Sequence, residues 1–478
     1  MSVPGVSIKS GVSDWQIVQQ HDGKADLKLK GEWSWPSALR EPSVVARVVD
    51  EETGMPVLPW TSLMTADGSF EGTLSGVPAG GLYRIETSLL NADLEDDFQW
   101  AGRGDMRHHV GVGDIYLIAG QSNAAGFAKD LASDPPELGV HLFRANGQWT
   151  LATHPLNDGT GSIFHENLEP VNAGHSPFLL FAKHIKKAAG YPIGLVAGAF
   201  GGSPLSAWNP DESGTLYRNA LAMIQAQGTG GVRGILWYQG CADASPSLCS
   251  SYFDRFTNVV NSFRRDLDQP ELPFFTVQLN RWISSGSLPE DDRAWGLLRE
   301  AQRQAARKIP HVFIIPANDG RLSDFVHNSA AANLVIGERL ARQAARHFHG
   351  GKLPCFAPEI ALARKQGETQ IDLSFSNVTG KLYLFEGDAR FGRAPVSRRY
   401  NPFTVEDVEG GNPVTDWATS GRDHIVLTTA RAIADQAKVH GAFEANPAEY
   451  LPVDSATHLP MLSFYGTEVD PTPENETV

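Results

Sequence analysis

The chain has 478 residues, too many for one hydrophobic core, and its length predicts about two to four domains. Hydrophobic residues make up 41% and charged residues 20%, the balance of a folded globular protein. Asp and Glu number 55 against 40 Lys and Arg, a formal charge of -15, so the chain repels phosphate backbones and anionic membranes, and no basic run relieves it. Nucleic acid and membrane are thus not expected partners. No stretch has the apolar length of a membrane span. The opening Met1-Ser2-Val3-Pro4-Gly5 lacks the basic and apolar regions of a secretory signal. The chain as written is expected in the cytoplasm, or in the periplasm or outside the cell if a signal peptide has been removed. Cys241, Cys249 and Cys355 are too few, and odd in number, for a disulfide framework. No Cys/His cluster has zinc-ligand spacing, and neither a metal nor another cofactor is expected.

Taken in order, residues 1–112 read as β. Residues 25–30 alternate between apolar and polar, residues 44–49 form a longer apolar run, and Asp67-Gly68 and Ala79-Gly80-Gly81 mark turns. A small β-sandwich is predicted. From Gly113 to about residue 350 the texture changes. Short apolar runs at 115–119, 193–199, 235–238, 274–279 and 312–315 read as parallel strands buried on both faces. Helical patterns lie between them. Phe178, Phe181, Ala182 and Ile185 share one face, and Phe253, Phe256, Val260 and Phe263 another. Trp295, Leu298, Ala301 and Ala305 form a third, and Val335, Leu340 and Ala344 a fourth. This alternation predicts an α/β fold with a central doubly wound parallel sheet, flavodoxin-like in type. After Gly350-Gly351 β texture returns at 371–375, 381–385, 425–427 and 461–465, and residues 471–478 read as a frayed tail. Three domains are expected: 1–112, a β-sandwich-like unit; 113–350, the α/β unit; and 351–478, β-rich.

The most informative segment runs from Gly113 through Ala119-Gly120-Gln121-Ser122-Asn123. A buried strand enters Gly120, which permits a sharp turn, and a serine follows near the start of a helix. Ligands of open α/β sheets bind outside the carboxyl ends of their strands, so Ser122 sits where a nucleophile would, with its N–H free to face an oxyanion. Alone, the pattern fits an N-cap serine better, because such caps far outnumber nucleophiles. Some two hundred residues on, Asp324-Phe325-Val326-His327 follows the run 312–315. His327 suits a general base and Asp324 an orienting acid, although the segment taken alone reads better as a solvated helix start. Gly201-Gly202 and Gln239 also follow predicted strands. They read either as oxyanion donors or as a plain turn and a buried amide. Their joint occurrence at strand carboxyl ends favours the catalytic reading.

These segments resemble the blocks of the SGNH hydrolases, closest to the branch of sialate O-acetylesterases and related carbohydrate acetylesterases. Gly120-Gln121-Ser122-Asn123 is similar to the first block. Gly201-Gly202-Ser203-Pro204 with Trp208 is similar to the second, Trp237-Tyr238-Gln239-Gly240 to the third, and Asp324 with His327 to the fifth. The sequence departs from the family pattern at Ser203 for Thr, at Cys241-Ala242 where Glu and then Ser or Ala are usual, and at Asn328 where Pro is common. The resemblance implies Ser122 as nucleophile, His327 as base and Asp324 as its partner. It further implies Gly201, Gly202 and Gln239 as oxyanion donors, and Gln121, Asn123 and Trp208 as substrate contacts. The expected reaction is hydrolysis of O-acetyl esters of carbohydrates, on sialate or on polysaccharide, through an acetyl-enzyme. The expected partner is thus an acetylated sugar or glycan. A lipase or thioesterase on the same scaffold is one rival, and a carbohydrate-binding protein without catalysis is another. Trp208, Trp237 and Trp282 read either as sugar platforms or as core. Cys241 reads as a reactive thiol, a partner for Cys249 or a buried small residue. His165 and His175 read as pocket or surface residues.

Overall fold

A computed structural model describes residues 4–35, 42–91, 103–167, 173–286, 288–384, 401–447 and 451–471. The N-terminal region forms two antiparallel layers. One orders the strands Gly5–Gly11, Lys24–Ser34, Ser69–Pro78 and Met64–Ala66. In Lys24–Ser34 the apolar Ala25, Leu27 and Leu29 point inward and the polar Asp26, Lys28 and Lys30 outward, the two-residue period of a half-buried strand. In the other layer Pro42–Asp50 pairs with both Pro56–Ser62 and Gly80–Asn91. Leu27, Leu29, Phe70, Val44, Val48, Ile85 and Val110 close one core between the layers.

The strand Met106–Gly120 joins this region to the next. Its first half pairs with Gly80–Asn91, and its second half lies in the middle of the central parallel sheet. The boundary expected at 112/113 therefore falls inside one unbroken 15-residue strand. The parallel order is Val140–Phe143, Ile193–Ala197, Met106–Gly120, Gly234–Tyr238, Phe274–Val277 and Val312–Ile315, with Trp149–Leu151 antiparallel at the edge. The chain runs to one side of Met106–Gly120 and then crosses to the other, so the carboxyl ends of Met106–Gly120 and Gly234–Tyr238 flank the point where strand order reverses.

Each expected apolar run of the central region holds a strand, although the strands of 193–199 and 274–279 stop at Ala197 and Val277, and the strands Val140–Phe143 and Trp149–Leu151 were not expected. Within the first, the buried His141 breaks the apolar pattern. Its Nδ1 meets the Trp15 carbonyl oxygen at 2.7 Å, and burial pushes its pKa down to about 4. The helices Phe178–Ala189, Tyr252–Asp266, Pro289–Lys308 and Ala330–His349 carry the predicted faces, with Val335 the exposed exception. The helix Thr215–Ala226 completes the set of long helices among the described residues.

The C-terminal region forms an eight-stranded sheet around its own core, which includes Ile371, Leu373, Ile425, Leu427 and Phe464. The run 461–465 enters a strand only at Phe464, in Phe464–Asp470. Phe385 of the candidate strand 381–385 and residues 472–478 of the candidate tail lie outside the described residues. Buried Arg299 binds the C-terminal region to the central one. Its guanidinium donates to the carbonyl oxygens of Leu279 and Phe443, each at 3.0 Å, so a charge that burial would penalise is held by backbone acceptors. The whole is a mixed α/β structure. Among the described residues no helix is long and apolar enough to cross a membrane.

Candidate active site

Gly120 ends its strand at φ +127°, and a Cβ there would meet the Tyr238 carbonyl oxygen at 2.2 Å. Only glycine lets the two strand ends close this far. Gln121 N–H then donates to the same carbonyl at 3.0 Å, and the short helix Ser122–Ala125 begins. Ser122 is 7% exposed. Its backbone N–H has no protein acceptor among the described residues.

The facing loop follows Val312–Ile315. Asp324 Oδ1 accepts the backbone N–H groups of Val326 and His327, each at 2.8 Å, which curls the loop around the carboxylate. Asp324 Oδ2 lies 2.6 Å from His327 Nδ1, and His327 Nε2 lies 2.8 Å from Ser122 Oγ. Burial works against ionisation of Asp324, but those backbone and ring hydrogen bonds outweigh it and hold the carboxyl below its ordinary range. The structure thus joins Ser122, His327 and Asp324 in one unbroken hydrogen-bonded line.

Three asparagines tether this loop to the serine. Asn123 accepts the Asn328 N–H at 3.0 Å and donates to the Val326 carbonyl at 3.2 Å. Asn280 donates to that carbonyl at 2.7 Å and to Asn328 Oδ1 at 2.9 Å, and Asn328 donates to the Tyr238 hydroxyl at 3.0 Å. Asn280 and Asn328 were not foreseen as site residues. Asn280 is a lone amide in its segment, and Asn328 had shown only as the residue standing where the family commonly has Pro.

Several expected roles meet a different geometry. Asn123 is buried and spent on the tether, so it has little left for substrate. Gln121 is buried as well, with Oε1 accepting from the backbone N–H groups of Gly240 and Ala242 at 3.0 and 3.3 Å. Trp208 is fully buried, its indole N–H on Ser203 Oγ at 3.0 Å and its ring edge-on to Trp237, which makes it core and not a sugar platform. Gln239 is also fully buried. Both amide hydrogens are engaged, one by the Ser203 carbonyl at 3.2 Å and one by Asp243 Oδ2 at 2.6 Å, which leaves none for an oxyanion. Asp243 also accepts from Leu205 N–H and Arg255, so this cluster fixes the loop carrying Gly201 and Gly202. That loop is pinned beside the serine through Phe200 N–H and Ser203 Oγ on the Gly120 carbonyl. Gly202 takes φ +66°, and its N–H has no protein acceptor among the described residues. Cys241, Cys249 and Cys355 are all free, and burial pushes the Cys241 thiol up to about 12.

His175 is neither a pocket nor a surface residue. With His154 and Asp134 it forms the group among the described residues whose donor atoms converge as metal ligands do. Spacings of about twenty residues on separate loops hid it from the sequence. His154 Nε2 meets Asp134 Oδ2 at 2.9 Å, and Lys183 takes the other carboxylate oxygen. Ser176 N–H faces His154 Nδ1 at 3.4 Å, which places the ring proton on Nε2, towards Asp134. The arrangement is that of an ion-paired clamp. Burial opposes the Asp134 charge, and its three cationic or N–H partners overcome it, holding the carboxyl well below the usual range. The clamp backs the serine loop through His175 N–H on the Ala128 carbonyl at 3.0 Å.

Residues 112–346, which contain every one of these site residues, match the family described as carbohydrate esterase, sialic acid-specific acetylesterase. Over that segment the chain is similar to this family. The esterase is 28% identical over 268 residues to a probable carbohydrate esterase of Arabidopsis thaliana, a match that covers 51% of this chain and 95% of the plant protein. It is 25% identical over 257 residues to human sialate O-acetylesterase, covering 44% of this chain and 48% of the human protein, so it spans about half the length of that relative. The solved structure of a carbohydrate acetylesterase from Xanthomonas citri superposes with a TM-score of 0.64 at 21% identity, across 96% of this chain and 99% of that one, which shows a shared fold. The esterase is a carboxylic ester hydrolase of the carbohydrate acetylesterase kind.

Proposed function

We propose that Ser122 is the nucleophile, His327 the general base and Asp324 its orienting partner in hydrolysis of O-acetyl groups on sialic acids or polysaccharides. The observation that carries this reading is the line Asp324 Oδ2, His327 Nδ1, His327 Nε2, Ser122 Oγ, with links of 2.6 and 2.8 Å. Ser122 Oγ attacks the acetyl carbonyl carbon as His327 Nε2 takes its proton. The tetrahedral intermediate collapses, the sugar oxygen leaves with that proton, and an acetyl-enzyme remains. Water repeats the sequence and releases acetate. The backbone N–H groups of Ser122 and Gly202 are the oxyanion donors in this scheme, and Gln239 acts through Ser203 by holding their loop.

The parallel order, with its reversal beside Met106–Gly120, supports the reading of the central sheet as doubly wound. Separate apolar cores support three domains, the first two sharing a strand. Unpaired thiols support a working compartment where cysteines stay reduced.

A fluorophosphonate tests the centre of this reading. It should add one phosphonyl group to Ser122, found by peptide mass, and stop acetate release. Ser122→Ala should take up no label and lose at least about a thousandfold in kcat, with its fold intact. Labelling elsewhere, or turnover surviving in Ser122→Ala, ends the assignment.

A further inference from the structure

We propose that Phe325 is a stacking platform for the pyranose ring of the leaving sugar, an inference that rests on the esterase reading above. Phe325 lies inside the Asp324–His327 turn, yet its side chain is 60% exposed, a large apolar surface beside a polar site. Its ring centroid stands 6.4 Å from that of His327. The segment next to it supplies more apolar surface. Ile283, also exposed, donates its N–H to the Phe325 carbonyl at 2.8 Å. Trp282 stacks on Trp295 at 6.1 Å and 7°, and its N–H is held by the Ala445 carbonyl at 2.8 Å. The ledge is therefore braced from two sides. Phe127, half-buried, lies 5.1 Å from the His327 ring and serves to pack it.

The reaction itself says which part of the substrate meets this ledge. His327 Nε2 must hand its proton to the departing alcohol oxygen, so the alcohol lies on the His327 side of Ser122. The acetyl methyl is small and lies on the other side of the scissile bond, where no broad apolar surface is called for. A pyranose presents axial C–H groups on one face, an apolar and slightly positive surface that fits the electron-rich face of an aromatic ring. Phe325 is the exposed aromatic residue of the turn. Replacing it leaves the turn intact, because Asp324 Oδ1 binds the backbone N–H groups of Val326 and His327 and none from Phe325.

The test compares two acetate esters, an O-acetylated methyl pyranoside and ethyl acetate, which has no ring. Phe325→Ala should raise KM for the pyranoside roughly five- to tenfold, the scale of one aromatic contact, and leave kcat/KM for ethyl acetate unchanged. Phe325→Trp should restore the pyranoside KM. Equal losses on both esters would make Phe325 a support for His327 and overturn the platform. So would an unchanged pyranoside KM, or a shift in preference between acetyl and butyryl esters of the same pyranoside. A wild type that cleaves neither ester defeats the esterase reading and takes the platform with it. A wild type that cleaves both, with a ratio unmoved by Phe325→Ala, defeats the platform alone.

Discussion

The two sides of the site are built on opposite plans. Ser122 is 7% exposed, fixed between the ends of two buried strands by contacts only Gly120 permits. The Asp324 side chain is 37% exposed, and its loop is held by side-chain amides from other segments. The difference teaches how the fold divides labour. The sheet, whose backbone bonds are satisfied by neighbouring strands, places the serine rigidly. The outer loop brings the imidazole to it through a few buried hydrogen bonds, and stays open towards solvent where substrate must enter.

Asp324→Asn breaks the comparison on the loop side with the largest expected effect. Asparagine keeps an oxygen for the Val326 and His327 N–H groups, so the turn should persist and the melting temperature should move little. It removes the charge facing His327 Nδ1 and can select the wrong tautomer, so kcat should fall by about a hundredfold or more. Steady-state kinetics beside thermal denaturation decide the matter. A loss of stability with normal kcat would demote Asp324 to a turn-former.

On the serine side Asp134→Asn should do the reverse, costing about 3–5 kcal/mol in chemical denaturation at neutral pH while kcat changes little. The sign of its pH dependence follows from the depressed carboxyl. Such a group stabilises the fold above its unfolded value, near 3.8, and that stability drains away as pH falls through the lower folded value. Wild-type stability should therefore drop on acidification below about pH 4, and the Asn variant should show a shallower acid limb. Identical acid limbs would remove Asp134 from the support of this side.

The smallest effect is expected at Cys241, which sharpens the contrast between a thiol and the serine close by in the fold. Burial pushes that thiol up to about 12, so it is protonated at neutral pH and a poor nucleophile. Cys241→Ser should keep kcat within about twofold, and thiol reagents should react slowly. Rapid inactivation that Cys241→Ser abolishes would show a role for the thiol.

The sequence by itself determined the features that depend on neighbours along the chain. Residues of a strand buried on both faces are mostly apolar, so the runs before Ser122 and Asp324 were legible, as was the Gly120 turn. The spacing of Asp324 and His327 is a local property as well. What only the tertiary structure decided was the use of polar side chains buried among residues remote in sequence. Gln239 reads as a donor until Asp243 and the Ser203 carbonyl are found holding both its hydrogens. Trp208 reads as a sugar platform until Trp237 and Ser203 enclose it. Asn280 gave no signal, Asn328 showed only as a departure from the family pattern, and nothing joined His175 to Asp134 and His154. A buried hydrogen bond needs a partner in space, and nothing in the spacing of one residue from the next records which partner that will be.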